Sequence, residues 1–365
     1  MAKVRIVVIE DSVTVRHYLL RILQSDPDFE VVGAGDNGQD AIDLCRTLRP
    51  DVITLDLHMP LLDGLAATEQ IMGHFPTPIL IVSSSTNRGD LFKTYDALAA
   101  GAVDILEKPT GEEDDEAWAA QFRFTLKLVS RIKVITHPRA RLAAMTPVAD
   151  TTAAPSHTMG RSRTTAGAPI SVPHSLVAIG ASTGGPGALV EVVKEIPERL
   201  PVTVLVVLHL GEPFGAAFTQ WLARQTGRSV CYAGEGDALT IAAPGRVLVA
   251  PPGKHLVARG TRLHLTSSTP RHSCRPSIDV LFDSLAEVGS APRTIGCLLT
   301  GMGRDGASGL LALRQAGALT FAQDEGSSVV YGMPREAALL DAAERILPLR
   351  AIGPAIARSL GAVPS

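Results

Sequence analysis

The sequence predicts two α/β domains, each a parallel sheet flanked by helices, joined by a flexible linker. Three observations predict this. Short apolar runs of strand length alternate with helical patterns in both halves of the 365-residue chain, the signature of βαβ units. Polar or glycine-rich segments follow the carboxyl ends of these runs, where open α/β sheets place their ligands. Between His137 and Ser171 the chain turns to Thr, Ala, Pro, Ser and Arg without apolar periodicity, as a linker does. The expected division is a first domain over 1–135, a linker over 136–171 and a second domain over 172–365.

Composition excludes several function classes. A hydrophobic fraction of 45% and a charged fraction of 19% are those of a globular chain, and the net charge of -3 gives no electrostatic reason to expect a nucleic acid partner. The basic stretch from Arg139 to Arg163 is dilute and lacks interleaved aromatics. Met1–Ile6 opens a strand at once, with no signal-peptide pattern. No apolar run approaches the roughly 20 residues of a membrane span, so a cytoplasmic location without membrane insertion is expected. Cys45, Cys231, Cys274 and Cys297 are dispersed with no C-x-x-C pair; they read as small buried hydrophobes rather than a zinc site or disulfide framework.

In the first domain the expected strands are Val4–Ile9, Glu30–Ala34, Asp51–Leu55, Pro78–Val82 and Val103–Leu106. Glu10 and Asp11 follow the first strand, Asp56 the third, Ser83 the fourth, and Lys108-Pro109 the fifth. Three carboxylates converging at one sheet edge repel each other unless a hard cation sits among them, and oxygen ligands of this kind suit Mg²⁺. Glu10, Asp11 and Asp56 are therefore the candidate metal ligands. Asp56 is placed to attack a phosphoryl group, with Lys108 neutralising its equatorial oxygens and Ser83 hydrogen-bonding one of them. Taken singly, Asp11 could merely precede a helix capped by Ser12, and Lys108 could be a solvated loop charge. Five such residues at the ends of four strands argue otherwise.

The second domain opens with the buried-strand pattern Leu176–Ile179, which runs into Gly180-Ala181-Ser182-Thr183-Gly184-Gly185-Pro186. The spacing Gly180-x-Ser182-x-Gly184 fits a nucleophile elbow, a sharp strand-to-helix turn that exposes the serine hydroxyl. A tight turn of small residues, or a loop cradling phosphate on a helix N-terminus, fits the same segment. His209 follows the apolar run Val202–Leu208, and Asp305 lies beyond the run Ile295–Thr300 in Gly301-Met302-Gly303-Arg304-Asp305-Gly306. Serine is a poor nucleophile until a base takes its proton and a carboxylate orients that base. The chain order Ser, His, Asp differs from that of the α/β-hydrolases, though not from what the chemistry requires. His255, His264 and His272 read as surface or turn residues.

Glu10-Asp11, Asp56-Leu57-His58-Met59-Pro60, Ser83 and Lys108-Pro109 resemble the signature of response-regulator receiver domains. The second-domain motifs resemble the CheB family of chemotaxis methylesterases: the serine segment, His209, Ala250-Pro251-Pro252-Gly253, Arg275-Pro276-Ser277-Ile278-Asp279, the Asp305 segment and Gly332-Met333-Pro334-Arg335-Glu336. The resemblance covers nearly the whole chain apart from the linker. It implies a flavodoxin-like receiver domain followed by a doubly wound parallel-sheet methylesterase domain. It further implies hydrolysis of glutamate methyl esters on methyl-accepting chemoreceptors, with deamidation of receptor glutamines, under control of a CheA-type histidine kinase that phosphorylates Asp56 in the presence of Mg²⁺. Ser182, His209 and Asp305 then form the triad; the backbone N–H of Met302 contributes to an oxyanion hole, and Thr183 lies beside the nucleophile. The receiver covers the esterase site until phosphorylated.

The sequence departs from the family pattern in places. Leu210-Gly211-Glu212-Pro213-Phe214 stands where a Met-Pro sequence is common, and Ile105 replaces an aromatic switch residue. The acidic run Gly111–Glu116 reads as a helix start. A receiver-linked transcription regulator, a phosphorylation-controlled binding module on an inactive esterase fold and a nucleotide-binding domain are the rival functions. No helix-turn-helix pattern supports the first, and the intact set of three triad residues argues against the second.

Overall fold

The computed structural model describes residues 3–84, 88–108, 115–132, 134, 174–210, 212–239 and 245–361. The expected linker and the start of the acidic run lie outside them. In the first domain β1 (Val4–Ile9), β2 (Phe29–Gly35), β3 (Val52–Leu55), β4 (Ile79–Ser83) and β5 (Asp104–Glu107) alternate with α1 (Val13–Gln24), α2 (Gly38–Leu48), α3 (Gly64–His74), α4 (Arg88–Ala99) and α5 (Asp115–Val129). The strands pair in parallel in the order β2-β1-β3-β4-β5, the flavodoxin-like arrangement. Each expected strand is present to within about two residues. The strands are apolar because the sheet is covered on both faces: Ile6 and Val8 join the cluster under α1 and α5, Val7 and Ile9 the cluster under α2 and α3. Ser12, Asn37 and Asp63 cap α1, α2 and α3 by accepting backbone N–H groups.

The second domain carries a seven-stranded sheet of β6 (Leu176–Ala181), β7 (Thr203–Leu208), β8 (Val230–Tyr232), β9 (Val247–Val249), β12 (Thr294–Leu298), β13 (Leu319–Gln323) and β14 (Arg345–Leu347). Its order is β14-β13-β12-β6-β7-β9-β8, every pair parallel. The helices are α6 (Gly185–Glu195), α7 (Glu212–Thr226), α8 (Ile278–Glu287), α9 (Ala307–Gln315), α10 (Met333–Leu339) and α11 (Leu349–Ser359). An antiparallel hairpin, β10 (His255–Arg259) with β11 (Arg262–Thr266), packs through α8 and is not part of the βα alternation. The chain leaves β6 in one direction to build β7, β9 and β8, then returns to its other side for β12. That reversal opens a crevice at the carboxyl ends of β12, β6 and β7.

The two domains share one hydrophobic cluster. Leu91, Tyr95 and Leu98 of α4 pack with Phe214, Phe218 and Trp221 of α7, with Tyr95 5.5 Å from Phe218 and 5.2 Å from Trp221 between ring centroids. Polar contacts fix the register. The Tyr95 hydroxyl donates to the Phe214 carbonyl, the Trp221 indole N–H donates to Asp96 at 2.7 Å, and the Arg224 guanidinium lies over the Phe92 ring. No helix among the described residues is long and apolar enough to cross a membrane.

Candidate active site

The parallel register of β6 and β7 pairs Ala181 with Leu208, so Ser182 and His209 follow at neighbouring positions on the same sheet edge. Ser182 is half-buried, and its N–H donates to Thr300 at 3.0 Å, tying the elbow to the strand β12 continues into. Gly184 supplies the turn, with φ +76° at the N-cap of α6. Gly180 has another role: a Cβ there would lie 2.4 Å from Ile278 Cγ2, so its lack of a side chain admits the first turn of α8 against β6.

That first turn holds Asp305. The Ser277 hydroxyl donates to Asp305 Oδ1 at 2.7 Å, the Ile278 N–H to Oδ2 at 2.7 Å and the Asp279 N–H to Oδ1 at 3.2 Å. A carboxylate at a helix N-terminus meets unpaired N–H groups and the positive end of the dipole. Burial favours the neutral acid, but the His209 hydrogen bond and charge and these donors outweigh it, and the Asp305 pKa lies below the ordinary value. His209 Nε2 lies 2.9 Å from Asp305 Oδ2. Burial alone would keep the imidazole neutral; Asp305 and Cys274 favour the cation, and the net shift is upward. The ring therefore presents Nδ1 rather than Nε2 to the crevice. Among the described residues no side-chain hydrogen bond joins Ser182 to His209; Cys274 Sγ stands 3.6 Å from Nδ1.

Several of these supports were not legible as such. Ser277 and Asp279 belong to a noted motif whose role the spacing did not reveal. Ser277 caps α8 while donating to Asp305. Asp279 accepts the Gly309 N–H and the Ser308 hydroxyl, clamping α8 to α9. His255 corrects the surface reading: it is 0% exposed, its Nδ1 accepts the Ser277 N–H, and its Nε2 faces the Thr269 carbonyl at 3.2 Å. His272 keeps the turn reading, being an exposed turn residue whose ring faces the buried Asp279 at 3.0 Å. Cys274 and Cys231 correct the reading of the four cysteines as buried, both being half-buried, with Cys274 beside His209, whereas Cys45 and Cys297 are buried. Met302 lies at the crevice rim, 36% exposed, and among the described residues no backbone carbonyl takes its N–H. The Thr183 hydroxyl points to the first domain, donating to Asp104 Oδ2 at 3.2 Å.

The second cluster lies in the first domain. Lys108 Nζ is 2.8 Å from Asp56 Oδ2 and 2.9 Å from Glu10 Oε1. Burial, with the Asp56 charge, pushes the Glu10 pKa up to about 7 against the opposing pull of Lys108. Ligand atoms of Glu10, Asp11 and Asp56 lie within 4.8 Å of one another. Glu10 Oε2 also lies 2.8 Å from Lys108 Nζ, and Ser83 Oγ is buried with no hydrogen bond among the described residues. Three crowded carboxyl groups, with only one ammonium among them and a buried hydroxyl beside them, fit a divalent hard cation.

Comparison with known proteins identifies both domains. Residues 177–356 match the model of the family described as CheB methylesterase, and residues 6–117 that of the response regulator receiver domain. A Nitrosospira multiformis protein named protein-glutamate methylesterase/protein-glutamine glutaminase is 41% identical over 97% of this chain and 96% of its own. The chain belongs to the CheB methylesterase family. A Symbiobacterium thermophilum relative of the same name is 40% identical, covering 98% of this chain and 97% of its own. The crystal structure of the Thermotoga maritima CheB methylesterase catalytic domain is 30% identical with a TM-score of 0.47, covering 51% of this chain and 98% of that one. This CheB-family chain thus combines a receiver with a methylesterase domain, and the crevice residues stand in the latter.

Proposed function

We propose that this CheB-family enzyme hydrolyses glutamate 5-methyl esters on methyl-accepting chemoreceptors, releasing methanol, and deamidates receptor glutamines by the same chemistry. One observation carries the site assignment: Asp305, held by the first turn of α8, fixes His209 on the strand end beside Ser182. His209 Nδ1 takes the Ser182 proton as the oxygen attacks the ester carbonyl, and Asp305 stabilises the imidazolium through Nε2. The Met302 N–H receives the developing oxyanion. The imidazolium then protonates the departing methoxide, and water repeats the sequence on the acyl-serine to leave glutamate and the free serine. Deamidation differs only in expelling ammonia.

Asp56 is the phosphorylation site, with a CheA-type histidine kinase as donor. Glu10, Asp11 and Asp56 would hold Mg²⁺, whose charge offsets that of the phosphoryl oxygens. Lys108 supplies a second positive charge and the unpaired Ser83 hydroxyl a hydrogen bond. The division into receiver 1–135, linker 136–171 and catalytic domain 172–365 lets the receiver cover the crevice through α4 and the start of β5, and the Asp104–Thr183 contact one residue from Ser182 supports this. Phosphorylation acts by favouring a receiver surface that docks less well. Methanol release from methylated receptors, with and without a small phosphodonor and Mg²⁺, tests the reading: Ser182→Ala abolishes release, and turnover persisting in that variant contradicts the triad.

A further inference from the structure

We propose that Cys274 and His209 form an inhibitory binding site for a borderline-soft divalent metal ion, Zn²⁺ foremost, inside the esterase crevice. Zinc–thiolate and zinc–imidazole bonds of about 2.3 and 2.0–2.1 Å at a tetrahedral angle separate the two ligand atoms by about 3.6 Å. Cys274 Sγ and His209 Nδ1 are 3.6 Å apart. The other ring nitrogen faces Asp305 at 2.9 Å, the outer carboxylate that commonly orients a metal-bound histidine and raises its basicity. The ligand atoms of Cys274, His209 and Asp305 all lie within 4.8 Å of one another. Among the described residues no other cysteine belongs to such a cluster.

The site is reachable, since Cys274 is half-buried and the His209 side chain keeps 14% of its exposure. Binding exchanges protons for the metal: the S–H bond breaks and an S–Zn bond forms, the imidazolium form also gives up its Nδ1 proton, these protons pass to solvent, and no electron is transferred. The Nδ1 lone pair forms the second bond. Two tetrahedral positions remain for water. The thiolate and imidazole select against Mg²⁺, which prefers oxygen ligands such as those around Asp56. This inference rests on the proposed function for its consequence: the lone pair that zinc occupies is the one that takes the Ser182 proton, so the metal-loaded enzyme cannot activate its nucleophile.

The test titrates the full chain with Co²⁺, in the presence of excess Mg²⁺, and follows the thiolate-to-cobalt charge-transfer absorption. A single equivalent should produce the band, Zn²⁺ should bleach it, and Cys274→Ser and Cys274→Ala should lack it. His209→Gln should weaken binding at least about tenfold, as expected for loss of a coordinating group. In parallel, Zn²⁺ should inhibit methanol release reversibly to a chelator. Cys274→Ser, referred to its own zinc-free rate, should need at least about tenfold more zinc for half-inhibition. A band that survives in Cys274→Ser, or no band in the unmodified chain at millimolar cobalt, overturns the site; zinc-insensitive release overturns its inhibitory role. A cysteine-dependent band in a chain that releases no methanol upholds the metal site while contradicting the esterase reading.

Discussion

Asp305 is oriented by hydrogen bonds from three neighbours on one helix turn, and each is a separate lever on His209, the proposed base. Ser277 is the most instructive, because its hydroxyl donates to Asp305 and accepts the Val280 N–H of α8. Ser277→Ala should lower kcat for methanol release about tenfold with KM nearly unchanged, the worth of one hydrogen bond to a charged group, and should cost about 1 kcal/mol in chemical denaturation through the lost cap. Equal loss in KM would show that Ser277 binds substrate instead. At this scale the sequence was informative about the proposed reacting groups and silent about the residues that support them. Ser182, His209 and Asp305 were legible because each follows an apolar run. Ser277 and His255 were not, because no spacing in the chain shows that a hairpin and a helix cap meet behind Asp305, and Cys274 was hidden by the usual burial of free cysteines.

The strands were legible because a sheet covered on both faces leaves continuous apolar runs. Their ends shifted by a residue or two, since hydrogen bonding continues past the apolar stretch into Ala181 and Ser83. The β10–β11 hairpin falls outside the βα alternation; its period-2 pattern, with Arg262 and His264 alternating with Leu263 and Leu265, is that of a half-buried antiparallel strand rather than of the continuous apolar runs that mark the parallel sheet. Two predictions belong to elements. Gly180→Ala places a methyl 2.4 Å from Ile278 Cγ2, so α8 must shift; about 1–3 kcal/mol of stability should be lost, with kcat falling because Asp305 moves with the helix. Retention of both would show that α8 tolerates displacement. The second concerns the junction. Burial raises the Asp104 pKa to about 6, against the Ile105 N–H and Thr183 hydroxyl, with no charged side chain among the causes. A raised acid pKa favours docking below the free value, near 3.9, and that contribution is lost as pH rises through about 6. Hydrogen exchange in α4, corrected for intrinsic rate, should therefore increase across this window, and Asp104→Asn should flatten the change. An unchanged profile in Asp104→Asn would assign the titration elsewhere.

Across the whole molecule, the proposed phosphorylation cluster and the proposed esterase crevice lie in different sheets, and the domains meet where α4 packs against α6 and α7. In the proposed mechanism, a change at Asp56 reaches Ser182 through this face. The sequence showed two domains and the order of their functions; it did not show their docking face, because Tyr95, Phe218 and Trp221 read as ordinary core residues of separate helices. Asp56→Asn should leave the basal rate intact and remove stimulation by a phosphodonor; stimulation that persists would move the control site away from Asp56. The central claim, that Ser182 activated by His209 and Asp305 performs the hydrolysis, is tested most directly by methanol release from methylated receptors in the unmodified chain and in Ser182→Ala. Release should be present in the first and absent in the second, and comparable release from both would contradict it.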